Sequence, residues 1–124
     1  MFLAQAYDLF DANCVKAHNN ARKTYDVDGV SWSESLAADA LIWAEYLAEN
    51  DKMIHDNATM DTKNQGENLA WFKPAKERCM GPKTPDCVTC EEIVDDWIAQ
   101  AQNYNFTTGL PKVPGLKINQ FAQV

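Results

Sequence analysis

Three short motifs follow one another along this chain, and their order constrains the fold more than any other sequence feature. They are His18-Asn19-x-x-Arg22, Gly29-Val30-x-Trp32 and Gly66-Glu67-Asn68-Leu69. Each motif is short enough to occur by chance. All three fall within 124 residues, which is the length of one domain. The ordered set is therefore more specific than any single motif.

Apolar residues recur at helical spacing and predict two amphipathic helices in the first half of the chain. The first helix ends before Asp28. Its apolar stripe consists of Leu3, Tyr7, Phe10, Cys14, Ala17 and Ala21. The second helix begins after the N-cap residue Ser33 and ends at about Asn50. Its core-facing positions are Leu36, Ala40, Trp43 and Leu47.

A third helix is predicted downstream, where Thr89-x-x-Glu92 forms a capping box. Its buried face consists of Ile93, Val94, Trp97, Ile98, Ala101 and Tyr104. Together with the two earlier helices, this segment supplies the helical part of the predicted fold.

The remaining segments are predicted to be strands and loops. Residues 51–65 are polar and read as irregular chain, and residues 66–72 read as a strand that enters the core. Residues 74–89 and 108–117 contain proline and glycine and read as loops. Residues 118–124 begin a last strand, whose open edge would expose unpaired backbone groups.

Charge and hydropathy exclude several classes of partner. The net charge is −7, so phosphate backbones repel the chain and nucleic acid is not an expected partner. Anionic membrane surfaces are disfavoured for the same reason. No apolar run approaches the roughly 20 residues that a transmembrane helix needs, so no transmembrane segment is predicted.

The cysteines and two sequons indicate an oxidising environment. The four cysteines are Cys14, Cys79, Cys87 and Cys90. Disulfides, reduced thiols and a metal site are the alternatives, and the spacing matches no common zinc module. Four cysteines allow three disulfide connectivities. The sequons at Asn57 and Asn105 are candidate glycosylation sites and, with the cysteines, favour a secreted, extracellular protein.

The ordered motifs resemble the CAP superfamily, which comprises cysteine-rich secretory proteins, antigen 5 and plant pathogenesis-related 1 proteins. The resemblance runs from Cys14 to Val124 and looks closest to invertebrate Golgi-associated plant pathogenesis-related-like proteins. It implies an α+β fold: a three-layer α-β-α sandwich with a mostly antiparallel central sheet. Residues 1–124 would be a single CAP domain that lacks its C-terminal strands. The resemblance therefore implies either a piece of a longer protein or a partner that supplies the missing strand. The motif residues with implied structural roles are His18, Asn19, Arg22, Trp32, Asn68 and Trp97.

The resemblance also favours one disulfide connectivity. Invertebrate CAP proteins have a cysteine before the H-N-x-x-R motif and another before the third helix. We therefore expect Cys14 to pair with Cys90 and join these two helices. A second disulfide between Cys79 and Cys87 would then close the hairpin of residues 80–85, which is rich in proline and glycine.

The family's cleft is only half present in this sequence. In the family it holds two histidines and two acidic residues, and some members bind a divalent metal there. His55 resembles the first histidine and Glu67 the first acid, whereas Gln100 and Gln120 occupy the other two positions. A neutral amide oxygen is a poor zinc ligand and cannot act as a general base. We therefore expect a ligand-binding cleft with no catalytic residue and no cofactor, and His55 is only a weak metal candidate.

Glu67 also has a purely structural interpretation: a carboxylate that bonds to backbone donors and to His55 and so holds its loop in shape. For the whole chain, the first functional hypothesis is a non-catalytic extracellular binding module for a sterol, another lipid or a protein surface. The second is a structural component of an extracellular assembly, joined through the C-terminal strand edge. The third is a metal-dependent hydrolase that uses His55 and Glu67. The sequence contains no nucleophile-elbow, P-loop or dinucleotide motif.

Overall fold

The structure is a computed structural model that describes residues 7–124. The predicted helical position of Leu3 lies outside the described residues. The fold is α+β, as predicted. The helices are α1 (Leu9–Thr24), α2 (Glu34–Asn50), α3 (Asn57–Lys63), α4 (Cys90–Ile98), the 3-10 helix Ala99–Asn103 and α5 (Asn119–Gln123). The strands are β1 (Glu77–Arg78), β2 (Cys87–Val88), β3 (Tyr104–Asn105) and β4 (Leu110–Pro111).

The chain groups into two compact units, which are described separately. The first comprises the described residues up to Val30 together with Phe72–Ala122 and Val124. The second comprises Ser31–Trp71 with Gln123. The assignment of residues 1–124 to a single domain stays a prediction.

The core of the first unit lies between α1 and α4. Its buried residues are Phe10, Ala17, Cys90, Val94 and Val124. Cys14 and Ala21 of α1 pack against this cluster, as the apolar stripe predicts. Tyr7 precedes the helix and is exposed, because the capping box of Asp8 and Asp11 starts α1 at Leu9.

Both predicted disulfides are present. Cys14 pairs with Cys90 across 76 residues and joins α1 to the first residue of α4. Cys79 pairs with Cys87 across 8 residues. The strands next to the short loop differ from the predicted hairpin, because β1 and β2 pair in parallel. The Cys79 backbone N–H continues that pairing by donating to the Val88 carbonyl oxygen at 2.9 Å.

The predicted capping box opens α4. The Thr89 hydroxyl accepts a hydrogen bond from the Glu92 backbone N–H at 3.1 Å, and the Glu92 carboxylate accepts one from the Thr89 N–H at 2.9 Å. The Lys83 ammonium lies 3.0 Å from the same carboxylate. Glu92 therefore connects the start of the helix to the disulfide-closed loop.

These contacts predict a loss of stability in acid. The Thr89 N–H, followed by Lys83, holds the pKa of Glu92 below its ordinary value of 4.5. A lowered folded-state pKa stabilises the protein above the unfolded value, and this contribution disappears as the pH falls through the folded value. We expect the melting temperature of Glu92→Gln to fall less steeply below about pH 4.5 than that of the wild type. Glu91→Gln is the matched control, and an equal flattening in that variant would contradict the assignment.

The second unit contains two helices. The Ser33 hydroxyl accepts from the Leu36 N–H, and α2 ends at Asn50, as predicted. The unit also contains α3, where the sequence predicted irregular chain. Its start is fixed by the Asp56 carboxylate, which accepts from the Thr59 N–H at 3.2 Å. It ends at Lys63 and is followed by the C-cap residue Asn64, whose φ of 53° is left-handed.

The apolar positions of α2 are less buried than the pattern predicts. Trp43 and Leu47 are half-buried, whereas Leu36 and Ala40 are exposed, and no residue from Ser31 to Trp71 is fully buried. The Asp39 carboxylate connects α2 to the end of α3 and to the residues that follow it. It pairs with Lys63 at 2.9 Å and accepts from Gln65 at 3.0 Å. These two hydrogen bonds also hold the pKa of Asp39 below its ordinary value.

Both long predicted strands are wrong. Residues 66–72 form no strand, and residues 119–123 form α5. A strand needs a neighbouring strand for its backbone hydrogen bonds, and within residues 7–124 no strand is paired with either segment. The backbone of α5 instead bonds internally, with the Ala122 N–H donating to the Ile118 carbonyl oxygen at 2.9 Å. The described residues contain two two-stranded sheets, β1–β2 and antiparallel β3–β4.

Candidate functional site

Within the second unit, His55 lies between α2 and α3 and Glu67 follows α3, and their side chains meet. His55 Nδ1 lies 2.8 Å from Glu67 Oε1, which also accepts from the Asp56 backbone N–H at 3.1 Å. The His55 side chain is 51% exposed and that of Glu67 is 18% exposed. Trp43 fixes the segment to α2, because its indole N–H donates to the Ile54 carbonyl oxygen at 2.9 Å.

The chemistry of this pair follows from the acceptor role of the carboxylate. A carboxylate oxygen accepts hydrogen bonds, so His55 Nδ1 is the donor in this contact. The same contacts hold the segment around Asp56 in shape, which is the structural role considered for Glu67. One imidazole nitrogen and one carboxylate are too few ligands for a closed metal site.

Within the first unit, Gln100 and Gln120 bond to each other. Gln100 Nε2 donates to Gln120 Oε1 at 2.8 Å. Gln100 Oε1 accepts from the backbone N–H of Gln120 at 3.0 Å and from that of Phe121 at 3.4 Å. Ile118, which precedes α5, makes no side-chain capping bond, so the Gln100 amide from the 3-10 helix satisfies the start of α5.

The four predicted cleft residues thus form two pairs, one in each unit. The side-chain amides of Gln100 and Gln120 bond to each other, and that of Gln100 also bonds to the backbone at the start of α5. Their neutral oxygens are poor ligands for zinc. Across residues 7–124, no group of three or more His, Cys, Asp or Glu side chains is arranged to hold a metal ion. The residues present do not fit the divalent metal that the family resemblance implies.

An exchange of Gln100 for glutamate should destabilise α5. The carboxylate would lose the Nε2–H donor and place an anionic oxygen against Gln120 Oε1. We expect the free energy of unfolding to fall by about 1.5 kcal/mol, the effect of an unmade, half-buried hydrogen bond. Urea denaturation measures this change. Gln102→Glu introduces the same charge at an exposed position and should have little effect, whereas equal losses in both variants would rule out the capping role.

The first two motifs join α1 to the chain that follows it. The Asn19 amide donates to the Val30 carbonyl oxygen at 3.0 Å and accepts from the Val30 N–H at 2.6 Å. A Cβ atom at Gly29 would lie 3.1 Å from Asn19 Oδ1, so this close approach favours glycine. Arg22 donates through Nη1 to the Val124 carbonyl oxygen at 3.1 Å. These contacts fit the structural roles that the resemblance implies for Asn19 and Arg22, and the roles themselves stay a prediction.

The other motif residues lie in partly buried positions. His18 Nδ1 bonds to the Cys14 carbonyl oxygen at 2.8 Å, and its ring lies edge-on to Trp97 at 6.2 Å. Trp32 and Asn68 are half-buried in the second unit. His18 therefore supports the end of α4 that carries Trp97.

The two sequons occupy different settings. Asn57 is the first residue of α3 and is exposed. Asn105 ends β3 and is half-buried, and its Oδ1 accepts from the backbone N–H groups of Thr107 at 2.9 Å and Thr108 at 3.2 Å. Use of either sequon stays a prediction.

Comparison with known proteins identifies relatives of this chain. It is 31% identical to a PR-1 type pathogenesis-related protein of Sambucus nigra over 110 residues, which are 89% of this chain and 56% of that protein. Pathogenesis-related protein 1 of Arabidopsis thaliana is 32% identical over 92 residues, 74% of this chain and 47% of that protein. Golgi-associated plant pathogenesis-related protein 1 of Homo sapiens is 29% identical over 98 residues, which are 78% of this chain and 54% of that protein.

The chain spans about half the length of these curated relatives. No solved structure matches it significantly. None of the helices within residues 7–124 combines the length and apolar character needed to cross a membrane.

The sequence profile of the Cysteine-rich secretory protein family, CAP, matches residues 15–124. The ordered motifs, this match and the relatives agree, and the chain belongs to the CAP family of cysteine-rich secretory proteins.

Proposed function

We propose that this protein is an extracellular binding module without catalysis of its own. The observation that carries the proposal is the hydrogen bonding of Gln100, whose amide is engaged with Gln120 and with the start of α5. A glutamine in this position neither ionises nor activates water as a general base. His55 and Glu67 bond to each other, so their side chains support the loop between α2 and α3.

Three observations support the extracellular setting. All four cysteines are paired, which suits an oxidising compartment. Two sequons occur in the chain, and the family is named for secretory proteins. We further propose that the whole domain adopts the three-layer α-β-α sandwich of the resemblance, with a mostly antiparallel central sheet.

The proposed ligand is an uncharged apolar molecule, with a sterol as the first candidate and a protein surface as the alternative. Support comes from α2, where Ile42 is 68% exposed and Tyr46 lies one turn further along the same side. The polar residues of α2 are mostly acidic, which disfavours anionic headgroups. The hypothesis of assembly through a C-terminal strand edge is not favoured, because residues 119–123 form a helix and not a strand.

Vesicle binding tests this proposal. Phosphatidylcholine vesicles with and without cholesterol are titrated with the wild type and with the double variant Ile42→Ser, Tyr46→Ser. We expect cholesterol-dependent binding by the wild type and a loss of at least about tenfold in the variant, since burial of one large apolar side chain is worth more than 1.4 kcal/mol.

The control is Glu45→Gln, Glu49→Gln, which removes two charges that flank Ile42 and Tyr46 on the same side of α2 and, because the proposed ligand is uncharged, should bind like the wild type. Equal binding by the serine variant would reject this ligand surface. Metal-dependent hydrolysis of a peptide or ester library by the purified protein, lost in Glu67→Gln, would contradict the absence of catalysis.

A further inference from the structure

Almost all of the net negative charge of this protein lies in the second unit. Residues 31–71 contain eight acidic and two basic side chains, a net charge of −6, whereas the whole chain has a net charge of −7. Helix α2 contains four of these acidic side chains and no lysine or arginine. A surface of one sign of charge attracts a partner of the opposite sign. The charge of this unit therefore favours a cationic partner.

Two glutamates of α2 have no counter-charge. Glu45 and Glu49 are exposed and lie one turn apart on the helix. Among residues 7–124 neither of them forms an ion pair, whereas Asp39 of the same helix is paired with Lys63. Like charges at this spacing repel each other and destabilise a helix. A cation bound beside them would relieve this repulsion.

Tyr46 presents a supported aromatic ring next to the glutamates. It lies one turn before Glu49, is 38% exposed and stacks on Trp43, with centroids 4.8 Å apart and an interplanar angle of 22°. The bond from the Trp43 indole N–H to the Ile54 carbonyl oxygen holds Trp43 in place. No other aromatic ring within residues 7–124 packs on Tyr46. The face of the tyrosine ring that is turned away from Trp43 can therefore receive a ligand.

An aromatic face beside carboxylates matches the arginine side chain. The guanidinium group is planar, stacks on aromatic rings and pairs with carboxylates through its N–H groups. The ammonium group of lysine is a compact, strongly hydrated charge and gains less from a flat ring. Ile42 lies one turn before Tyr46 and is 68% exposed, so an apolar side chain next to the arginine would also find a contact. Tyrosine and arginine are both enriched at protein interfaces.

We propose that α2 is a docking surface for an arginine-containing segment of a partner protein. The guanidinium of one arginine lies on the open face of Tyr46 and pairs with Glu49. A second basic side chain of the partner pairs with Glu45, and an apolar neighbour packs on Ile42. The inference rests on the proposed function, because it gives the chemistry of the partner for the protein-surface alternative.

Calorimetric titration with three acetylated and amidated peptides tests this surface. Hexa-arginine has both the charge and the planar group, hexa-lysine has only the charge, and hexa-citrulline has a planar group without charge. We expect hexa-arginine to bind at low ionic strength, hexa-lysine to bind about threefold more weakly and hexa-citrulline not to bind. Physiological salt should weaken the binding of both cationic peptides. Equal binding by hexa-lysine would reject the stacked arginine, and equal binding by hexa-citrulline would reject the role of charge, so either result overturns the inference.

Variants locate the bound peptide. Glu45→Gln, Glu49→Gln keeps the shape of the side chains and should weaken hexa-arginine binding about fivefold. Tyr46→Leu keeps the apolar character but removes the ring and should weaken it about threefold. The matched control is Glu91→Gln, Asp95→Asn on α4, which removes two exposed charges at the same helical spacing and should bind within about twofold of the wild type. Circular dichroism verifies that each variant keeps its helices.

The remaining outcomes separate the inference from the proposed function. Equal weakening in the α4 variant would indicate attraction to the acidic chain as a whole and would overturn the inference. Cholesterol-dependent vesicle binding by a wild type that does not bind hexa-arginine would overturn the inference and leave the proposed function intact. Self-association at low ionic strength that Glu45→Gln, Glu49→Gln abolishes would also overturn it, by assigning this face of α2 to a second copy of the chain.

Discussion

Removal of the Cys14–Cys90 disulfide by a double exchange to alanine should lower the free energy of unfolding by about 4 kcal/mol. The bond closes a loop with a sequence separation of 76 residues, so its absence greatly enlarges the unfolded ensemble. Because a domain of this size is stable by only about 5–15 kcal/mol, the variant should be close to unfolding at 37 °C. Urea denaturation with circular dichroism detection measures the change.

The second disulfide is the matched control. Cys79 and Cys87 close a loop with a separation of only 8 residues, and the same entropy argument gives about 2.5 kcal/mol. The long-loop variant should therefore unfold at a lower urea concentration than the Cys79→Ala, Cys87→Ala variant. The reverse order would show that local packing around the short loop outweighs the chain entropy of the long one.

Exchange of Val94 for alanine should destabilise the first unit by about 2 kcal/mol. Val94 is 1% exposed, and it is the largest fully buried side chain among residues 7–124. It lies on α4 in the cluster that includes Phe10 and Ala17 of α1. Since the disulfide holds α1 and α4 in place, the structure can collapse only partly around the missing methyl groups.

Val113→Ala is the control for this core substitution. Val113 is 58% exposed, so the same chemical change should alter the free energy of unfolding by less than about 0.5 kcal/mol. Equal effects at both positions in urea denaturation would show that Val94 is not the centre of a packed core.

The helices were predictable because their signals are local. The apolar stripe of α1, the Ser33 N-cap of α2 and the capping box at Thr89 all act within one or two turns of the chain. The missed helix α3 also has a local signal, since Asp56 precedes it as an N-cap.

The strands were not predictable from the same kind of signal. A strand is stable only when a second segment completes its ladder, and the pattern of residues 118–124 does not specify that segment. The contact of Gln100 with α5 was missed for a similar reason, because its partner Gln120 lies 20 residues away. The family resemblance placed these two positions in a predicted cleft but could not assign them a capping role.

The amide contact between Gln100 and Gln120 has a consequence for the conditions in which the protein can work. Neither side chain gains or loses a proton in water, and neither requires a bound cation. The attachment of α5 should therefore be indifferent to acidification and to chelating agents. This segment can keep its conformation in acidic, calcium-poor or zinc-poor fluids, where an attachment made by histidine and glutamate would weaken.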